Sequence, residues 1–403
     1  MRPPLQTPLP VAERREPLRV AFLAGTLMHG GAEGQLVYLA RALRQAGVCV
    51  RVYTLGENEF YEATLRDAGL DPIHVGGAAS TLLRLVTFAR ALRRFRPQIV
   101  QAAHFYVNLY VALASRLCRA LAIGAIPSDV VLDLQDTGPW GTALLRSPAA
   151  LWTNSQAARR NATRLGIDTA KIHVVTNVID TSSFDRALRL WPAARNHAST
   201  VVILVAQLVR AKRVDRFLDA LAHARRSAPE LKAIVAGDGP ERASLEAHAR
   251  RLGLVPEGVR FSGWCDDVPR LMAEADMLAL TSDHEGLPNV ILEAMAAKLP
   301  VVTTPAGDTA DVVEDGVSGF VVPFDGIEQV ADRLVRLARS PALRHRLGEA
   351  GYRRVAAGYA CVGLADRLLA MYRGAAEQSG HRRLLETLPA PALVRQAGSD
   401  RDC

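Results

Sequence analysis

Several features that would announce a covalent or metal-built frame are scarce in this chain. Its five cysteines, Cys49, Cys118, Cys265, Cys361 and Cys403, are scattered, odd in number and form no CxxC pair. That argues for a reducing compartment and against a disulfide frame or zinc site. Aromatic residues make up only 5% of the chain, and its arginine clusters lack the interleaved aromatics that stack on bases, so nucleic acid is not the expected partner. No apolar run approaches the length of a membrane span. Residues 1–17 are proline-rich, lack an apolar core and read as a flexible segment, not a signal peptide. The expectation is a cytoplasmic protein, soluble or peripheral on the inner face of the cytoplasmic membrane.

Acid is missing from one long stretch. Between Pro72 and Ser128 there is none, while Arg84, Arg90, Arg93, Arg94, Arg96, Arg116 and Arg119 carry most of the net charge of +8. A helix over Ser80–Phe95 would gather Leu82, Leu85, Ala89 and Leu92 on one face and leave Arg90 and Arg94 on the other. Such a run is a solvated helix face in the plain reading. In the sharper one it contacts an anionic membrane surface, where each basic side chain contributes roughly 1 kcal/mol.

What is present is the material for two domains. At 403 residues, with 49% hydrophobic and 22% charged, the chain exceeds the length at which single cores stop growing. Short β-branched runs such as "LRVAFLAG", "IVQAA", "VVILVAQL" and "MLALTSD" alternate with amphipathic stretches. This is the pattern of parallel sheets covered on both faces. The fold class expected is α/β, two Rossmann-like domains over 18–195 and 196–363. A helix over 364–378 would return towards the N-terminal domain, with a disordered tail over 379–403. In open α/β sheets ligands bind beyond the carboxyl ends of the strands, and the chemistry-bearing stretches all fall in strand-to-helix turns.

After the first strand, Gly30 and Gly31 in "GTLMHGGAEGQLVYLARAL" would let the backbone and a helix start approach an anion. The ordering differs from the GxGxxG dinucleotide fingerprint, which argues against a nicotinamide enzyme. In "AQLVRAKRVDRFLDAL", Arg210, Lys212 and Arg213 stand at a helix start, where cations oppose the macrodipole unless an anion such as a diphosphate lies there. "VAGDGPERASLEAHARRLGL" offers another glycine turn, at Gly239, to line a pocket for a base. "HEGLPNVILEAMA" holds two carboxylates, Glu285 before a helix opened by Pro288 and Glu293 within it. An acid among Ile291, Leu292, Met295 and Ala296 is costly to bury without donors. It should face a polar cleft, and a diol such as a ribose could supply two hydroxyl donors to it. The only Asp-x-Asp lies in the tail, so no metal site is expected.

"HEGLPNVILEAMA" resembles the paired-glutamate motif of the retaining glycosyltransferases of family 4, which have the GT-B fold. "HGGAEGQLVYLARAL", "VVTNVIDTSSF", "VRFSGW" and "DTADVVEDGVSGFVVPFDG" agree with it in order, from about Leu18 to Tyr372. The resemblance implies a GT-B cleft and a nucleoside diphosphate sugar as donor, without a metal cofactor. The acceptor would be a hydroxyl of a saccharide or lipid-linked glycan, in polysaccharide or glycolipid synthesis. It implies that Glu293 holds the ribose and that Glu285 lies by the transferred sugar. Backbone groups of Gly286, Leu287, Pro288 and Asn289 would meet the sugar and diphosphate, Lys212 would bind phosphate, and Gly30 and Gly31 would close over it. His104, after a first-domain strand, corresponds to a histidine that the family places near the sugars. Two departures stand out. Ala206-Gln207-Leu208 replaces the usual Gly-Arg-Leu, removing a charge that Arg210 or Arg213 would have to restore, and Val178 replaces a common glycine. A sugar-nucleotide epimerase of the same shape and a non-catalytic subunit are the competing classes.

Overall fold

The computed structural model describes residues 17–77, 80–126, 139–191 and 199–389. The first sheet contains β1 (Arg19–Ala24), β2 (Cys49–Thr54), β3 (Ile73–His74), β4 (Ile99–Ala102), β5 (Leu121–Ala125), β6 (Ala150–Thr153) and β7 (Ile172–Val174). The second contains β8 (Val201–Val205), β9 (Lys232–Ala236), β10 (Val259–Gly263), β11 (Met277–Leu280), β12 (Val301–Thr303) and β13 (Gly319–Val321). Their orders are β3-β2-β1-β4-β5-β6-β7 and β10-β9-β8-β11-β12-β13. The pairings are parallel throughout. β4, β5 and β11 are buried along their whole length, which is why they read as continuous apolar runs. In each sheet the strand order reverses beside the first strand, between β1 and β4 and between β8 and β11. Those two crevices are where such sheets bind ligands.

The chain crosses between lobes earlier than the sequence suggests. Val175 and Val178 belong to the N-terminal core, whereas Ile179 and Phe184 are buried in the C-terminal one. The helix Thr181–Leu190 therefore serves the second lobe, because Phe184 and Ala187 give it an apolar face directed there. The boundary expected near residue 195 lies outside the described residues. The helix Leu364–Gln378 returns to the first lobe and buries Leu368, Tyr372 and Ala375. Tyr372 is fully enclosed and donates to Gln101 of β4 at 2.7 Å, which satisfies a hydroxyl that would otherwise be costly to bury.

The tail is not disordered from residue 379. A short helix, Arg382–Thr387, carries Leu384 into the N-terminal core together with Leu388; these leucines share one helical face, a spacing too brief to stand out in the sequence. The flexible N-terminal segment and the tail beyond residue 389 lie outside the described residues. In the arginine-rich helix, Thr81–Phe95, the inward face is Phe88, Ala89, Leu92 and Phe95. Leu82, expected on that face, is 69% exposed, because the helix buries residues only from Phe88 onward. Cys118, Cys265 and Cys361 are free.

Candidate active site

In the C-terminal lobe the loops after β8 and β11 are fastened into one unit. Arg216 donates to the Thr281 carbonyl at 2.7 Å and to Asp283 at 2.8 Å. Arg213 bonds Asp283 at 3.1 Å and Asp215 at 3.0 Å. Burial raises the Asp283 carboxyl, but the bonds from Arg216 and Arg213 outweigh it and hold the group below its ordinary range. Asp283 N–H donates to the Ala211 carbonyl at 2.9 Å. Arg213, expected as a donor-facing cation, is thus spent on bracing the loops.

Glu285 is held on this brace. It accepts from Lys212 Nζ at 2.7 Å and from Ser282 Oγ at 2.7 Å, with 7% of its side chain exposed against 25% for Lys212. Arg210 and Gln207 are exposed beside the pair, and neither side chain makes a hydrogen bond or ion pair with a described residue. The Gly286 carbonyl accepts from the Asp308 N–H at 2.8 Å. Gly307, at φ +63°, packs its Cα against the Glu285 and Gly286 carbonyls, and a side chain there would collide with both. Gly239 lies against the Leu208 backbone, so it supports the loop carrying Gln207.

The helix Asn289–Ala296 starts from Pro288, whose fixed φ of −71° suits the entry. Leu287 and Ile291 are buried in the lobe's core, leaving Leu287 to offer only its backbone. Glu293 is partly accessible from the cleft, and its carboxyl makes no hydrogen bond or ion pair with a described residue. Burial pushes it up to about 7. Across the cleft, burial and, after it, the fields of Glu293 and Glu33 together raise the Tyr61 hydroxyl to about 12, so both acids lie close to this N-terminal wall.

The N-terminal crevice is built differently. His104 follows β4, and its Nδ1 accepts the Gly25 N–H at 3.1 Å. Its Nε2 stands 3.1 Å from Glu33 Oε1. Tyr106 stacks on the imidazole, ring centroids 5.3 Å apart. Gly30 caps the helix Gly31–Gln45, and the Glu33 carboxylate folds back over it where a side chain would stand. The diglycine therefore receives the chain's own acid on one side.

The diglycine reaches the second lobe through Asn289. That side chain donates to the Gly31 carbonyl at 3.0 Å and accepts from Asn177 at 2.7 Å and from Gln35 at 3.1 Å. Asn177 also donates to the Leu287 carbonyl at 2.9 Å. Gln35 also exchanges a pair of bonds with the Val178 backbone, each at 2.9 Å; these use only the main chain of Val178, so valine can stand where glycine is common. Asp308 adds a second clasp by accepting the Gln156 and Ala157 N–H groups at 2.6 and 2.8 Å, the free donors at the start of the helix Gln156–Arg164. Sequence reading missed Glu33, Gln35, Asn177 and Asp308. Glu33 alone had a local signal, an acid in the first turn after a diglycine.

Two family models match the two lobes: Glycosyltransferase Family 4 over residues 29–183 and Glycosyl transferases group 1 over 189–354. The chain belongs to these glycosyltransferases and has the GT-B fold. Among curated relatives, an alpha-D-kanosaminyltransferase from Streptomyces kanamyceticus is 31% identical over 43% of this chain and 45% of its own length. A lipopolysaccharide core biosynthesis glycosyltransferase from Rhizobium meliloti is 31% identical over 49% and 57%; the chain thus spans about half the length of these two. A D-inositol 3-phosphate glycosyltransferase from Kribbella flavida is 27% identical over 88% of this chain and 92% of its own length. The solved structure of Anabaena HepE with UDP and glucose superposes with a TM-score of 0.78 at 21% identity, covering 88% of this chain and 99% of that one. Sucrose-phosphate synthase from Thermosynechococcus elongatus gives 0.74 at 18% identity, over 88% and 98%.

Proposed function

We propose that this glycosyltransferase moves a hexose from a nucleoside diphosphate sugar to a hydroxyl of a saccharide or lipid-linked glycan, with retention of configuration. The observation that carries the reading is Glu293, a largely buried carboxylate without a partner among the described residues, on the helix that follows the loop holding the paired Glu285. A lone acid in that setting is costly unless a ligand supplies donors, and the two hydroxyls of a ribose do so. Lys212 and Arg210 would neutralise the diphosphate, together with the N–H groups at the start of the helix Asn289–Ala296. Glu285 would then contact the sugar and stabilise positive charge developing at its anomeric carbon. The acceptor attacks on the face the diphosphate leaves, and the departing phosphate takes the acceptor's proton. This scheme requires no metal. Retention and the polysaccharide role rest on resemblance to relatives. The HepE structure holding UDP and glucose supports a uridine nucleotide as the first donor to try.

The acceptor side is argued from charge. Arg90, Arg93, Arg94, Arg96, Arg116 and the protruding Leu82 and Leu83 share the N-terminal lobe, and they suit peripheral contact with an anionic membrane carrying a lipid-linked acceptor. No helix among the described residues is long and apolar enough to cross a membrane.

The test is calorimetry against a panel of nucleoside diphosphate sugars, followed by turnover with lipid-linked and free acceptors. Saturable donor binding that Glu293→Gln weakens supports the reading. Donor binding without any turnover would instead mark a non-catalytic subunit. Rearrangement of the donor with no acceptor added would mark an epimerase.

A further inference from the structure

His104 has neither ring nitrogen free. The Gly25 N–H donates to Nδ1 at 3.1 Å, and an N–H donor can only meet a bare nitrogen. The neutral ring must therefore carry its proton on Nε2, where Glu33 Oε1 waits at 3.1 Å. Both side chains are nearly enclosed, 11% and 10% exposed. Two further observations show that the surroundings are shaped around this pair. Gly30 leaves vacant the volume that the Glu33 carboxylate fills, and Gly25 leaves vacant the volume filled by the Tyr106 ring stacked on His104.

We propose that Glu33 is a positioning residue of the transfer site. It takes the Nε2 proton of His104 in a hydrogen bond and so selects the tautomer and fixes the ring plane from one side, as Gly25 does from the other. Tyr106 holds the ring face. The inference rests on the cleft being a glycosyl-transfer site, and it adds that the Gly30-Gly31 turn accommodates an internal acid that orients the histidine. Held in this way, the imidazole is a fixed part of the cleft wall beside the Gly30-Gly31 turn, and no reorganisation of that wall is needed when a ligand arrives.

The full-length chain with 15N-labelled histidines provides a test that needs no substrate. His104, identified by the signal lost in His104→Asn, should show the Nε2–H tautomer with a ring proton slow to exchange. In Glu33→Ala that proton should exchange at least about tenfold faster, while Glu33→Gln, whose amide oxygen can still accept it, keeps the slow signal. A second arm follows UDP release from UDP-glucose. Here Glu33→Ala should lower kcat by about 100-fold with KM changed less than about twofold, and Glu33→Gln should recover most of the rate. An Nδ1–H tautomer in the unaltered chain, or a ring proton indifferent to Glu33→Ala, overturns the positioning role even if transfer is confirmed. A Glu33→Gln variant as slow as Glu33→Ala overturns it too, since charge or direct contact would then be the cause. If UDP-glucose proves inert, the first arm decides alone.

Discussion

The two crevices at the strand-order reversals have the same backbone plan and opposite electrostatic states. Between β1 and β4 the polar groups satisfy one another: His104 with Gly25 and Glu33, and Gln35 with Val178. Between β8 and β11 a braced framework of Arg213, Arg216 and Asp283 supports groups that stay unsatisfied, namely Glu293, Arg210 and Gln207. Lys212 and Glu285 lie between these extremes, paired with each other yet open to exchange because Lys212 is only partly covered. The contrast teaches which wall is prepared and which awaits a ligand. A desolvated polar group without a partner is costly, and Glu293 is such a group where the donor is proposed to bind, with the exposed Arg210 and Gln207 free to meet a ligand in the same lobe.

The sharpest way to break that contrast is to remove the cation that bridges it. Lys212→Met should leave Glu285 buried without a charge partner and the proposed diphosphate site without one of its cations. Turnover should fall by about 100- to 1,000-fold, with thermal unfolding at lower temperature. Steady-state kinetics beside calorimetry would detect both, and an unchanged kcat would show that the pair is only structural.

Glu293 offers an intermediate effect with a definite sign. Its carboxyl is raised from 4.5 to about 7 by burial, so the empty protein gains from protonation there. That gain is complete below about pH 4.5 and is lost as pH rises through about 7. Glu293→Gln should therefore stabilise the empty chain at pH 8, by about 1–3 kcal/mol, while weakening donor binding by about 10- to 100-fold. Donor affinity in the unaltered chain should rise with pH between 6 and 8, as the diol acceptor ionises. Denaturant unfolding and binding at both pH values would check this; a variant less stable than the parent at pH 8 contradicts it.

The smallest effect should come from Gln207→Arg. This exposed position lies three residues before Arg210, whose side chain has no partner among the described residues, and restoring the family's common cation should tighten nucleoside diphosphate binding several-fold, up to roughly tenfold. Affinity measured at low and high salt separates charge from shape, since a charge contribution shrinks as salt rises.

Much of this was legible beforehand. Glu285 and Glu293 declared themselves as acids beside and within an apolar helix, and the strand-to-helix turns placed Gly30, Lys212 and His104 at strand ends. Leu82 and the residues after 379 were misjudged because burial there depends on which part of the chain packs beside each turn. Asn289 was expected to serve the ligand through its backbone. Its side chain instead joins the lobes, which no local pattern reveals.

Alternation of apolar runs, the glycine and proline positions and the acid within "NVILEAMAA" determined two parallel-sheet lobes and the loops that face their cleft, because those properties are set by neighbours a few residues away. The folded chain alone decided which charges remain free. Lys212 meets Glu285 across 73 residues, His104 meets Glu33 across 71, and Asp308 caps a helix 151 residues upstream. Such partnerships depend on three-dimensional proximity, and a linear pattern carries no record of it.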